Sequence, residues 1–374
     1  MTDQAADQAA LDKKRHGLRM SKRRLHGPAG AEREPDWSEL ERVASYCAAN
    51  EIEADAYGDG EHLQAFEARV AAMLGYPAGR FMPSGTMVQP IAVRIWSDRA
   101  GVNLVGMHPT CHLELHEERG YSRLHNLHAA MVGEPARPMT AQDLANAPEP
   151  MSALIVELPT RENGGQLAPW DDLVELCDSA RERGIATHLD GARLWEAAAG
   201  YDRPLTEICA LFDSAYVSFY KGIGALPGSM LVGDTDFITE AALWQRRQGG
   251  NLFTSMANWL SADMRLDQQI AKMPTWRDRA TVLAAALVEI DGVTINPSIP
   301  QVNMFHVLVA GDEEALLLAR DHVADRHDLW LFGGLASTDV PGTYKFEFTV
   351  GDAASEVTLD EIVAAFTTLV GVDL

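Results

Sequence analysis

Between residues 61 and 250 the chain alternates amphipathic helical stretches with short runs that are apolar almost from end to end. That alternation limits what it can fold into. Ser152–Leu158 is nearly all apolar, so both faces of the strand it forms must be covered, as in a parallel sheet. Gly101–Met107, Ile185–Leu189, Ala215–Phe219 and Ser229–Val232 read the same way, and Phe81–Thr86 reads as a short strand ending in a tight turn. The helical signals lie between them. Glu61–Leu74 places Leu63, Phe66, Val70, Met73 and Leu74 on one face. Val88–Trp96 is a second helix. Pro169–Arg183 has proline near its first turn and Gly184 just past its end, the usual asymmetry of helix ends. The expected fold is α/β, a mostly parallel sheet flanked by helices.

The pattern changes after about Asn251. A long helical stretch covers Ser255–Ile290, with an interruption expected near Met273-Pro274. Strands at Val302–Val309 and Lys345–Val350 and helices at Glu313–Arg326 and Leu359–Val370 suggest a smaller C-terminal α+β domain. The first 45 residues stand apart, with a basic run at Lys13–Arg24. In a chain of net charge −23 such an arm needs an explanation. It could clamp an acidic surface of a neighbouring subunit, trail as a solvated tail, or contact nucleic acid. The expected division is a basic arm over 1–45, a large domain over 46–252 and a small domain over 253–374.

The negative charge disfavours nucleic acid and anionic membranes as partners. No apolar run approaches the roughly 18 residues of a membrane span, and the N-terminus lacks the apolar core of a signal peptide. The four cysteines, Cys47, Cys111, Cys177 and Cys209, show no paired spacing, which suits buried thiols in a reducing, cytoplasmic compartment.

The chemistry concentrates at two strand ends. Asp190 closes the run Gly184–Asp190, and Lys221 closes Ser214–Lys221. In an open α/β sheet, ligands sit beyond the carboxyl ends of the strands. An acid and an amine there suit pyridoxal phosphate: the amine condenses with the cofactor's aldehyde, and the carboxylate keeps the ring nitrogen protonated. Taken singly, a strand-end lysine is commonly solvated and Asp-Gly is commonly a turn. Pro83-Ser84-Gly85-Thr86 supplies a third part. Between strand and helix, Ser84, Gly85 and Thr86 offer hydroxyls and unpaired first-turn amides to a phosphate, although serine and threonine open many ordinary helices. Arg193, at the start of the next helix, could reach a ring oxygen. His188 shares a strand face with Asp190 and reads equally as its support or as a core histidine. The loop from Lys221 to Ser229 has three glycines, which allow backbone to pass close to a ring. His108, His112 and His116 have metal-like spacing, but Pro109 breaks a helix through them. No metal is expected, and His112 could instead stack on a planar cofactor.

Taken together, Asp55-Ala-Tyr-Gly-Asp59, Phe81-Met-Pro-Ser-Gly-Thr-Met87, His188-Leu-Asp-Gly-Ala-Arg-Leu194 and Lys221-Gly-Ile-Gly-Ala225 resemble threonine aldolases. These form part of the β-eliminating lyase family of pyridoxal-phosphate enzymes, with the aspartate-aminotransferase-like fold (fold type I). The resemblance spans about Tyr57–Val232. It implies that Lys221 binds the cofactor covalently, Asp190 pairs with the ring nitrogen, Arg193 contacts the ring oxygen, Ser84, Gly85 and Thr86 bind phosphate, and His112 stacks on the ring. It also implies a homotetramer built from dimers, with active sites shared across an interface. Arg246, Arg247, Gly249 and Gly250 resemble a basic segment near the site.

Three stretches depart from the family pattern. The N-terminal Arg-Ser-Asp-Thr segment is not visible. Glu157-Leu-Pro-Thr-Arg-Glu-Asn-Gly-Gly165 stands where Glu-Asn-Thr-His is usual, so a second histidine is missing. Lys345 stands where a carboxylate-binding arginine is usual, and a lysine is a point charge without the planar fork. Arg161 and Lys345 are the candidate substrate-binding residues. The expected reaction is cleavage of a β-hydroxy-α-amino acid to glycine and an aldehyde, with His112 as the base and Lys221 and Asp190 essential. The alternatives are β-elimination or dehydration on the same scaffold, and a cofactor-binding regulatory protein without turnover.

Overall fold

The computed structural model describes residues 2–371 and divides them into two compact units, one formed by 37–273 and the other by the N-terminal residues up to 36 together with 274 onward. In the first unit, seven strands form one sheet: β1 (Ala78–Met82), β2 (Leu104–Met107), β3 (His128–Met131), β4 (Ala153–Glu157), β5 (Ala186–Gly191), β6 (Ser214–Ser218) and β7 (Ser229–Gly233). The spatial order is β1-β7-β6-β5-β4-β2-β3. Six strands share a direction, and β7 runs against both its neighbours, β1 and β6.

The interior of β4–β7 is buried on both faces, as continuous apolar runs require. One layer packs Val88, Ile91, Ala92 and Ile95 of the helix Gly85–Ala100 against Met82, Tyr216 and Leu231 of the sheet and Phe237 of the helix Thr235–Arg247. Glu61–Leu74 is helical over the expected span, buries Leu63, Phe66, Val70 and Leu74, and ends at Gly75 in the left-handed region. The edge strand β3 lacks a sequence signal because His128-Ala-Ala-Met131 is only partly covered and carries no apolar run.

The helix Met256–Leu287 runs unbroken through Pro274, where an interruption was expected. A proline inside a helix costs about 3 kcal/mol. Burial of Trp259, Leu260, Leu266 and Met273 before it and of Trp276, Leu283 and Leu287 after it holds the helix on both sides.

In the second unit, β8 (Val293–Asn296), β9 (Met304–Ala310), β10 (Ala336–Ser337) and β11 (Thr343–Thr349) form an antiparallel sheet in the order β10-β11-β9-β8. The helices Glu313–His327 and Leu359–Val370 belong to the same unit, the second opened by a Thr358–Glu361 capping box. The basic N-terminal segment folds here. It forms a helix, Thr2–Ser21, and then a short strand, Arg23–Arg24, pairing in parallel with Leu329–Trp330. Arg15 Nε lies 3.0 Å from Asp321 Oδ2, Arg23 reaches Glu361 at 3.1 Å, and Leu25 is fully buried. Acids of the chain's own second unit therefore hold part of the basic run. Among the described residues, no helix is long and apolar enough to cross a membrane.

Candidate active site

Parallel pairing brings the carboxyl ends of β4, β5 and β6 side by side. Glu157 stands opposite Asp190, and Asp190 stands opposite Tyr216. Asp190 is buried, and its Oδ1 accepts from the Ala192 backbone N–H at 3.1 Å. Lys221 follows β6 by three residues and lies in the field of Arg193, Asp190, Glu157 and Arg161. Burial, with help from Arg193, pushes its amine below the usual lysine range, while the two carboxyls act the other way. The acid and the amine expected from sequence therefore meet.

The phosphate cradle opens beside them. Ser84 precedes the helix Gly85–Ala100 in extended backbone (φ −154, ψ 150) and makes no side-chain cap. The Gly85 and Thr86 amides, at the start of the first turn, are thus left for an anion, while the Met87 amide donates to the Ser84 carbonyl. Gly85 is fixed by close approach, since a Cβ there would lie 2.1 Å from the Tyr216 hydroxyl. Tyr216 links the cradle to the acid, being packed against Gly85 and in register with Asp190. Ser218, at the end of β6, is buried, with its hydroxyl beside those of Tyr216 and Tyr220.

The histidines separate by role. His112 begins a short helix, and its Nδ1 lies 2.9 Å from Glu117 Oε1. Glu117 is buried, and burial raises its pKa, with Asp190 adding to the rise and His112 and Lys221 opposing it. His112 thus belongs to the Asp190–Lys221 cluster through Glu117. His116 pairs instead with Glu162 Oε1 at 2.9 Å. His108 is tied to Thr110 Oγ1 at 2.7 Å and to the Glu134 and Arg137 carbonyls. The three rings go to three different sets of partners, which is not a metal-site arrangement. His188 is fully buried between Ser214 Oγ (2.8 Å) and Gln89 Oε1 (2.9 Å), and burial lowers its pKa to about 3. It is a neutral core histidine bonded away from Asp190.

Arg161 lies within the field of Lys221, donates its backbone N–H to Glu157 Oε1 at 3.2 Å and pairs with Glu162 at 3.0 Å. Arg193 caps the helix Leu194–Tyr201. Lys345 belongs to the other unit, in β11 opposite Leu308 and Ala336. Arg247 stacks on Trp244 at 4.6 Å. Sequence reasoning gave no role to Glu117, Glu157, Tyr216 or Ser218. Glu117 lies five residues past His112, across a helix end, where no periodicity pairs them. Glu157 carried one signal, a charge inside an otherwise apolar strand.

These residues fit pyridoxal phosphate. The fit rests on the uncapped helix start at Gly85 and on the buried acid sharing a field with a destabilised lysine ammonium.

The family pattern described as Beta-eliminating lyase matches residues 41–310. A solved structure of a putative L-allo-threonine aldolase from Listeria monocytogenes superposes with a TM-score of 0.89 at 36% identity, covering 96% of this chain and 98% of that one. The probable low-specificity L-threonine aldolase 2 of Arabidopsis thaliana is 28% identical over 285 residues, 73% of this chain and 79% of its own. The low specificity L-threonine aldolase of Escherichia coli (strain K12) is 29% identical over 269 residues, 71% and 79% of the two chains.

Proposed function

Because this chain belongs to the β-eliminating lyase family, we propose that it is a pyridoxal-phosphate-dependent aldehyde-lyase of the threonine aldolase type. It cleaves a β-hydroxy-α-amino acid to glycine and an aldehyde. The observation that carries this reading is the meeting of Lys221, Asp190, Glu117-bound His112 and the open helix start at Gly85 at the carboxyl ends of the parallel strands.

Lys221 would hold the cofactor through its amine, Ser84, Gly85 and Thr86 its phosphate, Asp190 its ring nitrogen and Arg193 its ring oxygen, with His112 on the ring face. When bound, pyridoxal phosphate supplies an electron-accepting ring that stabilises the carbanion left at Cα. Burial lowers the pKa of the Lys221 amine, which favours its nucleophilic form. Glu117 accepts from His112 Nδ1–H and so leaves Nε2 as the base for the substrate's β-hydroxyl proton. Arg161 supplies positive charge for the substrate carboxylate.

The chain works as a homotetramer built from dimers. The exposed pair Tyr57 and Phe253, with ring centroids 5.5 Å apart, supports assembly. Tyr57 is held at φ 54, an uncommon position for a bulky residue, which marks the loop as constrained. A cytoplasmic setting belongs to this reading, and the four free thiols support it.

The test is the absorption spectrum of the purified protein, followed by product analysis with a panel of β-hydroxy-amino acids. A near-visible band that shifts with glycine, together with aldehyde release, is expected. Keto acid and ammonia in place of aldehyde would move the assignment to β-elimination. A band without turnover would point to a regulatory protein, and no band after adding cofactor would sink the reading.

A further inference from the structure

The basic segment that the reaction does not use builds a cavity within the second unit. It is a half-open cavity of about 430 Å³, lined by Arg19, Arg24 and Arg33 together with Phe332, Phe346 and Glu347. That volume falls within the roughly 300–1,000 Å³ typical of small-molecule sites.

The charges do not balance. Arg33 feels the repulsion of Arg24 and Arg19, which together with burial lowers its pKa. Arg24 Nε is buried without a partner. Arg33 Nε donates to the Lys22 carbonyl at 3.2 Å, which neutralises nothing. Glu347 is the one acid among the described residues lining the cavity, and Thr349 Oγ1 donates to it at 3.2 Å. Three guanidiniums against one carboxylate leave two positive charges. His26 adds none, because burial lowers its pKa; its ring lies 4.7 Å from that of Phe348 and its Nε2 meets the Leu331 carbonyl. In a chain of net charge −23, three guanidiniums lining one cavity with a single carboxylate are a site prepared for an anion. Phe332 and Phe346, stacked at 4.3 Å, form an apolar wall.

We propose that this cavity binds a small dianion carrying a planar apolar group, such as an aryl phosphate, as a ligand distinct from the amino-acid substrate. A single carboxylate would leave one guanidinium uncompensated, whereas a phosphate monoester matches both charges and offers several acceptors. An acidic side chain of a second copy would meet the exposed Arg19, whereas the half-buried Arg24 and Arg33 line the cavity, where a small anion reaches them. The site stands independently of the proposed reaction.

The experiment is calorimetric titration of the cofactor-loaded protein, whose phosphate cradle is filled, with phenyl phosphate and with benzoate. Phenyl phosphate is expected to bind once per chain and about tenfold or more tighter than benzoate. Arg24→Gln and Arg19→Gln should each weaken it by about tenfold, the loss of one charged hydrogen bond. Arg19 lies on the helix surface, so its variant folds even where Arg24→Gln does not. Equal binding to wild type and both variants would overturn the proposal, as would benzoate binding as tightly as phenyl phosphate. Displacement by the amino-acid substrate would assign the cavity to the substrate instead. A change of oligomeric state in the variants, without loss of binding, would make the arginines a subunit clamp.

Discussion

Glu157 and Asp190 face each other in register on adjacent parallel strands, two carboxyls side by side at the carboxyl ends of interior strands. They do not share charge equally. Glu157 Oε2 is buried without a partner, and burial, reinforced by the charge on Asp190, raises the Glu157 pKa to about 8. Glu157 therefore holds its proton beyond the ordinary carboxyl range, beside the residue proposed to meet the ring nitrogen.

This raised pKa makes the cofactor-free protein sensitive to alkali. Folded Glu157 holds its proton to higher pH than the unfolded chain does. The stability linked to it is whole below the ordinary carboxyl range and is lost as pH rises through about 8. The unfolding midpoint is expected to fall across that interval. Glu157→Gln should flatten the fall; an unchanged pH profile in that variant would show that another group causes it.

Lys221→Ala should abolish both the near-visible band and turnover, since no other amine would hold the cofactor covalently. A coloured, active variant would refute the assignment.

His112 is expected to act both as a surface for the ring and as a base. His112→Phe should keep cofactor affinity within a few-fold and lower kcat by about 10²-fold or more. His112→Ala should lose both. Glu117→Ala should lower kcat while leaving KM nearly unchanged, because it frees the ring of its Nδ1 partner. Equal loss of cofactor in His112→Phe and His112→Ala would remove the base from the account.

Gly85→Ala places a methyl group 2.1 Å from the Tyr216 hydroxyl. The expected costs are about 1–3 kcal/mol of stability and weaker cofactor binding, read by thermal unfolding and by spectral titration. Wild-type behaviour in both would show that the cradle adjusts.

A methyl group on Gly351 would lie 2.1 Å from the Gly27 carbonyl, where the N-terminal segment crosses β11. Gly351→Ala should loosen residues 8–36 and expose them to protease. A cleavage pattern like that of wild type would refute this packing.

The sequence made the α/β framework legible because buried parallel strands cannot conceal a continuous apolar run. The Leu359–Val370 helix was equally plain, since its cap and its apolar stripe agree. Lys221, Asp190 and the Ser84–Thr86 turn could be found because each sits at a strand or helix end. The partners Glu117 and Tyr216 could not. One meets its neighbour across a helix end, and the other acts through the missing side chain of a glycine on another element. The reversal of β7 was hidden too, because a strand buried on both faces looks the same in either direction. The fate of the basic arm depended on acids about 300 residues away, such as Asp321, which local pattern does not report.

The division of the chain also bears on its synthesis. Residues 37–273 form one continuous unit, so its parts are all made before residue 274. The first 36 residues emerge before it but belong with the last hundred. Until Leu329 and Trp330 are made, the strand Arg23–Arg24 has nothing to pair with. The arginine-rich segment therefore spends most of translation exposed, beside a growing acidic chain. Its positive charge keeps it soluble through that wait and selects the partners it finally meets.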